Sequence, residues 1–189
     1  MGQTASVLAV ADESVMWSLR TIARGIDGLN EAVGRSLTWL MPIIVLVAAS
    51  VVVLRYAFGI GLPWLTESFI WLHGMVFTVG AGYVLLHDKH VRVDLFYGRL
   101  SARARAVVNI VGVCLFLWPA MAVITWTSLP VVTRSWNRLE ASPTMDGLPF
   151  MYLLKSCLLL FCVVMALQGL SLVLGGVATL AGRRGDSDA

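Results

Sequence analysis

Charge is scarce in this chain. Lysine and arginine number 14 and aspartate and glutamate 11 in 189 residues, 13% of the whole, where a soluble domain carries roughly 25%. With 58% hydrophobic residues and a mean hydropathy of +0.82, so few ionic groups cannot cover a water-facing surface. This speaks against a soluble enzyme and against a disordered chain. A net charge of +3, spread over separated loops, also speaks against a nucleic-acid-binding surface. Cysteine is scarce too. Cys114, Cys157 and Cys162 all fall inside apolar stretches. They supply neither a disulfide framework nor a loop cysteine pair for disulfide exchange. No G-x-x-x-x-G-K-[ST] loop is present for ATP, and no two separate apolar stretches carry deep histidines for haem. The chain is therefore expected to be no enzyme and to hold no cofactor.

Long uncharged stretches are what the chain does have. Arg35 to Arg55 encloses 19 residues without a charge, Glu67 to Asp88 encloses 20, Arg105 to Arg134 encloses 28, and Lys155 to Arg183 encloses 27. Crossing a bilayer takes roughly 20 apolar residues. None of the four alternates as a membrane strand does, and a backbone in hydrocarbon must satisfy its own hydrogen bonds. The spacing predicts an all-α membrane protein with four transmembrane helices, over about 37–55, 67–87, 106–130 and 152–181. Pro119 should kink the third. In the second stretch only His73 and His87 add titrating groups.

The ends and loops set an orientation. Ten basic residues lie in the N-terminal segment, the 88–105 loop and the C-terminal tail, against four on the other side (Arg55, Arg134, Arg138 and Lys155). That bias predicts both termini and the middle loop in the cytoplasm. No cleaved signal is expected, since Met1–Ala11 lacks a basic leader and Asp12-Glu13 follows it. Met1-Gly2-Gln3-Thr4-Ala5-Ser6 fits a myristoylation pattern that would matter only in a eukaryote. Within segment 1–36, Val15, Leu19, Ile22, Ile26, Leu29 and Val33 form an apolar stripe beside a polar one of Arg20, Arg24, Asp27 and Glu31. The expectation is an amphipathic interfacial helix, on the cytoplasmic surface or docked on a partner. Residues 37–182 form the four-helix membrane domain and 183–189 a cytoplasmic tail.

Few polar residues remain to carry chemistry. Glu67 opens the second stretch, with Thr66 as a candidate cap. Arg55, across the short 56–65 connection, is the candidate for a helix-pinning ion pair with it. The alternatives are two interfacial side chains reaching for water, or a proton-coupling carboxylate at Glu67. Trp71, Gly74, Thr78 and Gly82 continue the Glu67 face as a partner-packing surface, on which small residues admit a close neighbour. Lys155 starts the fourth helix, where snorkelling to the outer surface explains it as well as pairing does. Gln168, deep in that helix, needs an interhelical hydrogen bond. His87, Asp88, His90 and Asp94 crowd one loop, but Lys89 and Arg92 among them would oppose a cation, so no metal site is expected. Arg134, Arg138, Glu140 and Asp146 of the second outer loop are candidates for docking a soluble binding protein, beside the plainer reading of solvated loop charge.

Several of these residues carry a resemblance. Arg55-Tyr56-Ala57-Phe58-Gly59, Trp64, Glu67, Gly80-Ala81 and then His90-Val91-Arg92-Val93-Asp94-Leu95 resemble, in order and placement, the small membrane subunit of tripartite ATP-independent periplasmic (TRAP) transporters. The match is strongest over about 37–105, and Leu148-Pro149 before the fourth helix is also similar. Many members carry two consecutive acidic residues where this chain has Thr66 before a single Glu67. The resemblance implies a scaffold in the bacterial inner membrane, bound to a large elevator-type permease subunit that holds the substrate and sodium sites. It implies delivery of an organic acid by a periplasmic binding protein, and His90, Arg92 and Asp94 as a cytoplasmic family motif. The competing reading is a small self-sufficient exporter with Glu67 as its coupling carboxylate.

Overall fold

The computed structural model describes residues 2–87 and 100–182, with side chains from Trp17 onward. Within these residues every regular element is helical. In chain order they are α1 (Gly2–Thr38), α2 (Leu40–Ala57), α3 (Pro63–Val79), α4 (Ala81–Leu86), α5 (Ala102–Gly112), a π-helical turn (Val113–Leu117), α6 (Trp118–Asn137) and α7 (Met151–Gly182). Four stretches are long and apolar enough to cross a membrane: Trp17–Ala57, Pro63–Leu86, Ala102–Asn137 and Met151–Ala181.

Prolines place most of the breaks. Pro42 stands in the first turn of α2, where its missing N–H is tolerated and where it has no donor to offer the Thr38 carbonyl. The chain turns once there, at Trp39, whose N–H reaches Ser36 O at 3.3 Å. Pro63 begins α3, so the helix starts four residues before Glu67, and Thr66 lies inside it, bonded back to Leu62 O. Thr66 therefore does not cap the helix. The π-helical turn ends at Leu117, two residues before Pro119. The carbonyl four residues before a proline has no N–H to receive, and a widened turn is a usual way to absorb that. At the start of α5, Ser101 caps by accepting from Ala104 N.

The spans stand in an open row. α2 packs on α3, α3 and α4 pack on α7, α7 packs on α5, the π turn and α6, and α1 lies across α7, α4, α3 and α2. α7 is thus the central post. In its most apolar window 33% of residues are buried, against 11% in each of the other three. Its core contacts gather Met121, Cys162 and Met165, with Leu117, Ile124 and Phe161 around them.

Close approach depends on missing side chains. A β-carbon at Gly82 would stand 2.2 Å from Val164 Cγ1 of α7, and one at Gly169 would stand 2.7 Å from Leu117 Cδ2. Gly74 is looser, with Leu154 Cδ1 at 3.9 Å. Gly82→Ala is therefore expected to lower stability by about 1–3 kcal/mol through overpacking, while Gly74→Ala leaves it near wild type. Thermal unfolding of the purified protein in detergent checks both.

Candidate functional site

Two polar assemblies hold the row together, one at each end. The first is a seam between α1 and α7. Gln168 is 1% exposed and Asn30 is 1% exposed, and Asn30 Nδ2 donates to Gln168 Oε1 at 2.5 Å. Gln168 Nε2 donates to Asp27 Oδ1 at 3.0 Å, and Ser171 Oγ donates to the same oxygen at 2.6 Å. The depth of Gln168 in the fourth stretch demands a partner, and the partners come from α1. Just outside the seam, Glu31 accepts from Arg35 Nε at 2.8 Å and meets His87 Nε2 at 2.7 Å. The His87 ring stands edge-on to Tyr83, centroids 4.4 Å apart.

This seam changes the reading of α1. Its inward face is Ala23, Asn30, Gly34 and Leu37, with Asp27 half-buried among them. Of the expected apolar stripe, Leu19, Ile26 and Val33 are half-buried and Ile22 and Leu29 exposed. Periodicity separates apolar from polar residues, but here the inward side carries the hydrogen-bonding groups, because α7 presents Gln168 and Ser171 to it.

The second assembly closes the loop end. α6 ends at Asn137, and Leu139, just past its C-cap Arg138, adopts φ 45°. Leu139 N–H bonds to Trp136 O at 3.1 Å and Glu140 N–H to Ser135 O at 3.0 Å, a Schellman motif without its usual glycine. That turn aims Glu140 at Lys155, Nζ to Oε2 2.5 Å. Trp136 Nε1 donates to Ser156 Oγ at 2.8 Å and its ring meets Tyr152 edge-on.

Glu67 sits beneath the same loop. Its carboxylate accepts from Ser142 Oγ and, at 2.8 Å, from Leu148 N–H. Gly147 admits the contact: a β-carbon there would lie 2.8 Å from both carboxylate oxygens. No ion pair joins Arg55 to Glu67 among the described residues; the two line one open depression of about 480 Å³. The physical reason is reach. The 142–148 loop brings a hydroxyl and a backbone N–H directly onto the carboxylate, and oriented donors of that kind hold it as well as a distant guanidinium does.

The remaining candidates fall into place around these assemblies. Gly74 and Gly82 face α7, so the small-residue surface is used inside this chain. Thr78 bonds its own helix at Gly74 O, and Trp71 lines an apolar groove with Leu148 and Cys157. Arg134 and Arg138 are exposed, Arg134 bonding back to Pro130 O. Asp146 is exposed in a left-handed turn at φ 59°. His90, Arg92 and Asp94 lie outside the described residues. Asn30, Ser142 and Gly147 were not singled out from sequence. A signal for the last two exists, since Ser142-Pro143-Thr144-Met145-Asp146-Gly147 has the composition of a tight turn.

Two outcomes follow from the loop end. Glu67→Ala should speed hydrogen exchange at the Leu148 amide, whereas Arg55→Ala should leave it unchanged. The Lys155 ammonium beside Glu140 holds that carboxyl below the usual carboxylate range. Its folded-state value is depressed, so its contribution is present above the ordinary range and lost as pH falls through the folded value. Acid titration of thermal stability should show that loss in the wild type and a smaller one in Lys155→Met.

A scan against protein-family models matches residues 43–179 to the DctQ component of tripartite ATP-independent periplasmic transporters. No curated protein and no solved structure matched the chain in the corresponding searches. The family match spans three of the four apolar helices, most of α2 and both loop-end connections. The chain belongs to the DctQ family, the small permease component of TRAP transporters.

Proposed function

We propose that this protein is the static small subunit of a TRAP-type secondary transporter that imports an organic acid with sodium. It binds the large elevator permease subunit and enlarges the fixed wall against which the mobile part slides. The observation that carries this reading is the open row of helices around α7. A transporter working alone needs to enclose a polar path at mid-depth, commonly between broken helices. Here the hydrogen-bonded groups inside the row serve to lock helix to helix. The family works in tripartite complexes with a large permease and a periplasmic binding protein, and this chain takes the same partners in the proposal. Both termini face the cytoplasm of a bacterium, and the loop end faces the periplasm, where Arg134, Arg138 and Asp146 are free to meet the binding protein. Substrate and sodium sites lie on the large subunit, and this chain needs no cofactor of its own.

The exporter alternative is disfavoured by the placement of Glu67, whose carboxylate is engaged by the loop rather than open at mid-depth. Co-expression with the cognate large subunit and affinity purification through this chain should recover both. Uptake into liposomes should need the large subunit and the binding protein as well. Transport by this chain alone, abolished by Glu67→Gln, overturns the proposal.

A further inference from the structure

One imidazole in the second span has no partner among the described residues. His73 lies ten residues into the helix that begins at Pro63, about 15 Å from its start at 1.5 Å per residue. That places it inside a hydrocarbon layer about 30 Å thick, six residues deeper than Glu67. His73 is exposed, and it makes no hydrogen bond or ion pair among the described residues. It is flanked at helical spacing by Ile70, Phe77 and Val84, which are 53%, 78% and 38% exposed. These four form one stripe along α3 and α4, turned away from the side on which Gly82 meets α7.

Other polar side chains in the spans solve this problem locally. Ser50, Thr78, Thr127 and Thr133 each donate to a carbonyl one turn back on their own helix. An imidazole cannot do both halves of that. In its neutral form it carries one donor and one acceptor, and the helix carbonyls offer nothing to the acceptor. Acyl chains offer neither, and the side chain is too short to reach past Glu67, about 9 Å along the helix, to the headgroups. The group that satisfies His73 must therefore belong to protein lying at the same depth.

Resting on the reading of this chain as a permease subunit, we infer that the Ile70–His73–Phe77–Val84 stripe seats a transmembrane helix of the large subunit, which places a hydrogen-bonding group opposite His73. Phe77 supplies the apolar anchor and His73 sets the depth and register. A second copy of this chain would pair the stripe with itself, Phe77 near Phe77, and the test below separates the two.

The test uses the full chain co-expressed with the cognate large subunit in native membranes. A benzophenone amino acid in place of Phe77 should cross-link to the large subunit on illumination. His73→Leu should lower recovery of the complex about 3–10-fold, the range of interhelical hydrogen bonds in bilayers, with this chain still present in the membrane. His73→Gln, which keeps a donor and an acceptor, should retain most of the recovery. Cross-linking at position 77 only to a second copy or to lipid overturns the inference, and so does wild-type recovery with His73→Leu. If the wild-type chain recovers no large subunit at all, the transporter-subunit reading itself fails and the inference falls with it.

Discussion

A polar side chain buried between helices in a bilayer has no water to return to, so its hydrogen bonds have to be made within protein. In this molecule that demand is concentrated on α7. Gln168 and Ser171 project from the most buried helix, and α1 brings to them Asp27, Asn30 and the Ala23 carbonyl. Apolar contacts by themselves would let α1 slide or roll along the post, since one aliphatic surface is much like another. The amide pair removes that freedom, because donor and acceptor must both be matched at one register. The open row follows from this arrangement: α7 is held on one side by the seam and on the other by the close approach of Gly169 to the π turn.

At the loop end the same principle acts through backbone. Glu67 is served by Ser142 and by the Leu148 amide, and Glu140 by Lys155. Two carboxylates thus tie the 138–150 connection down onto α3 and α7.

The number and nature of the spans were legible in the sequence, because hydropathy and charge gaps report directly on burial in lipid. Pro119 signalled a disturbance in the third span, and the structure expresses it as the π turn just before it. The span starts were less legible. Glu67 looked like a helix start because charge ends an apolar run, but Pro63 begins the helix. Arg55 and Glu67 looked like a pair because opposite charges stand at adjacent ends. Sequence order does not show that a loop some eighty residues later supplies nearer donors. The inward face of α1 was hidden for a related reason. Its periodicity is real, but which stripe turns inward depends on what the facing helix presents.

The amino-acid sequence alone determined that this chain carries four helical stretches long and apolar enough to cross a bilayer and matches a known transporter component. Those properties are sums over many residues and depend little on arrangement. Tertiary structure alone decided that the spans form a row around α7, that Gln168 answers to α1, that Glu67 answers to a distant loop, and that His73 is left facing outward. Each of these depends on one atom meeting another across long stretches of chain, and no local pattern encodes which atoms meet.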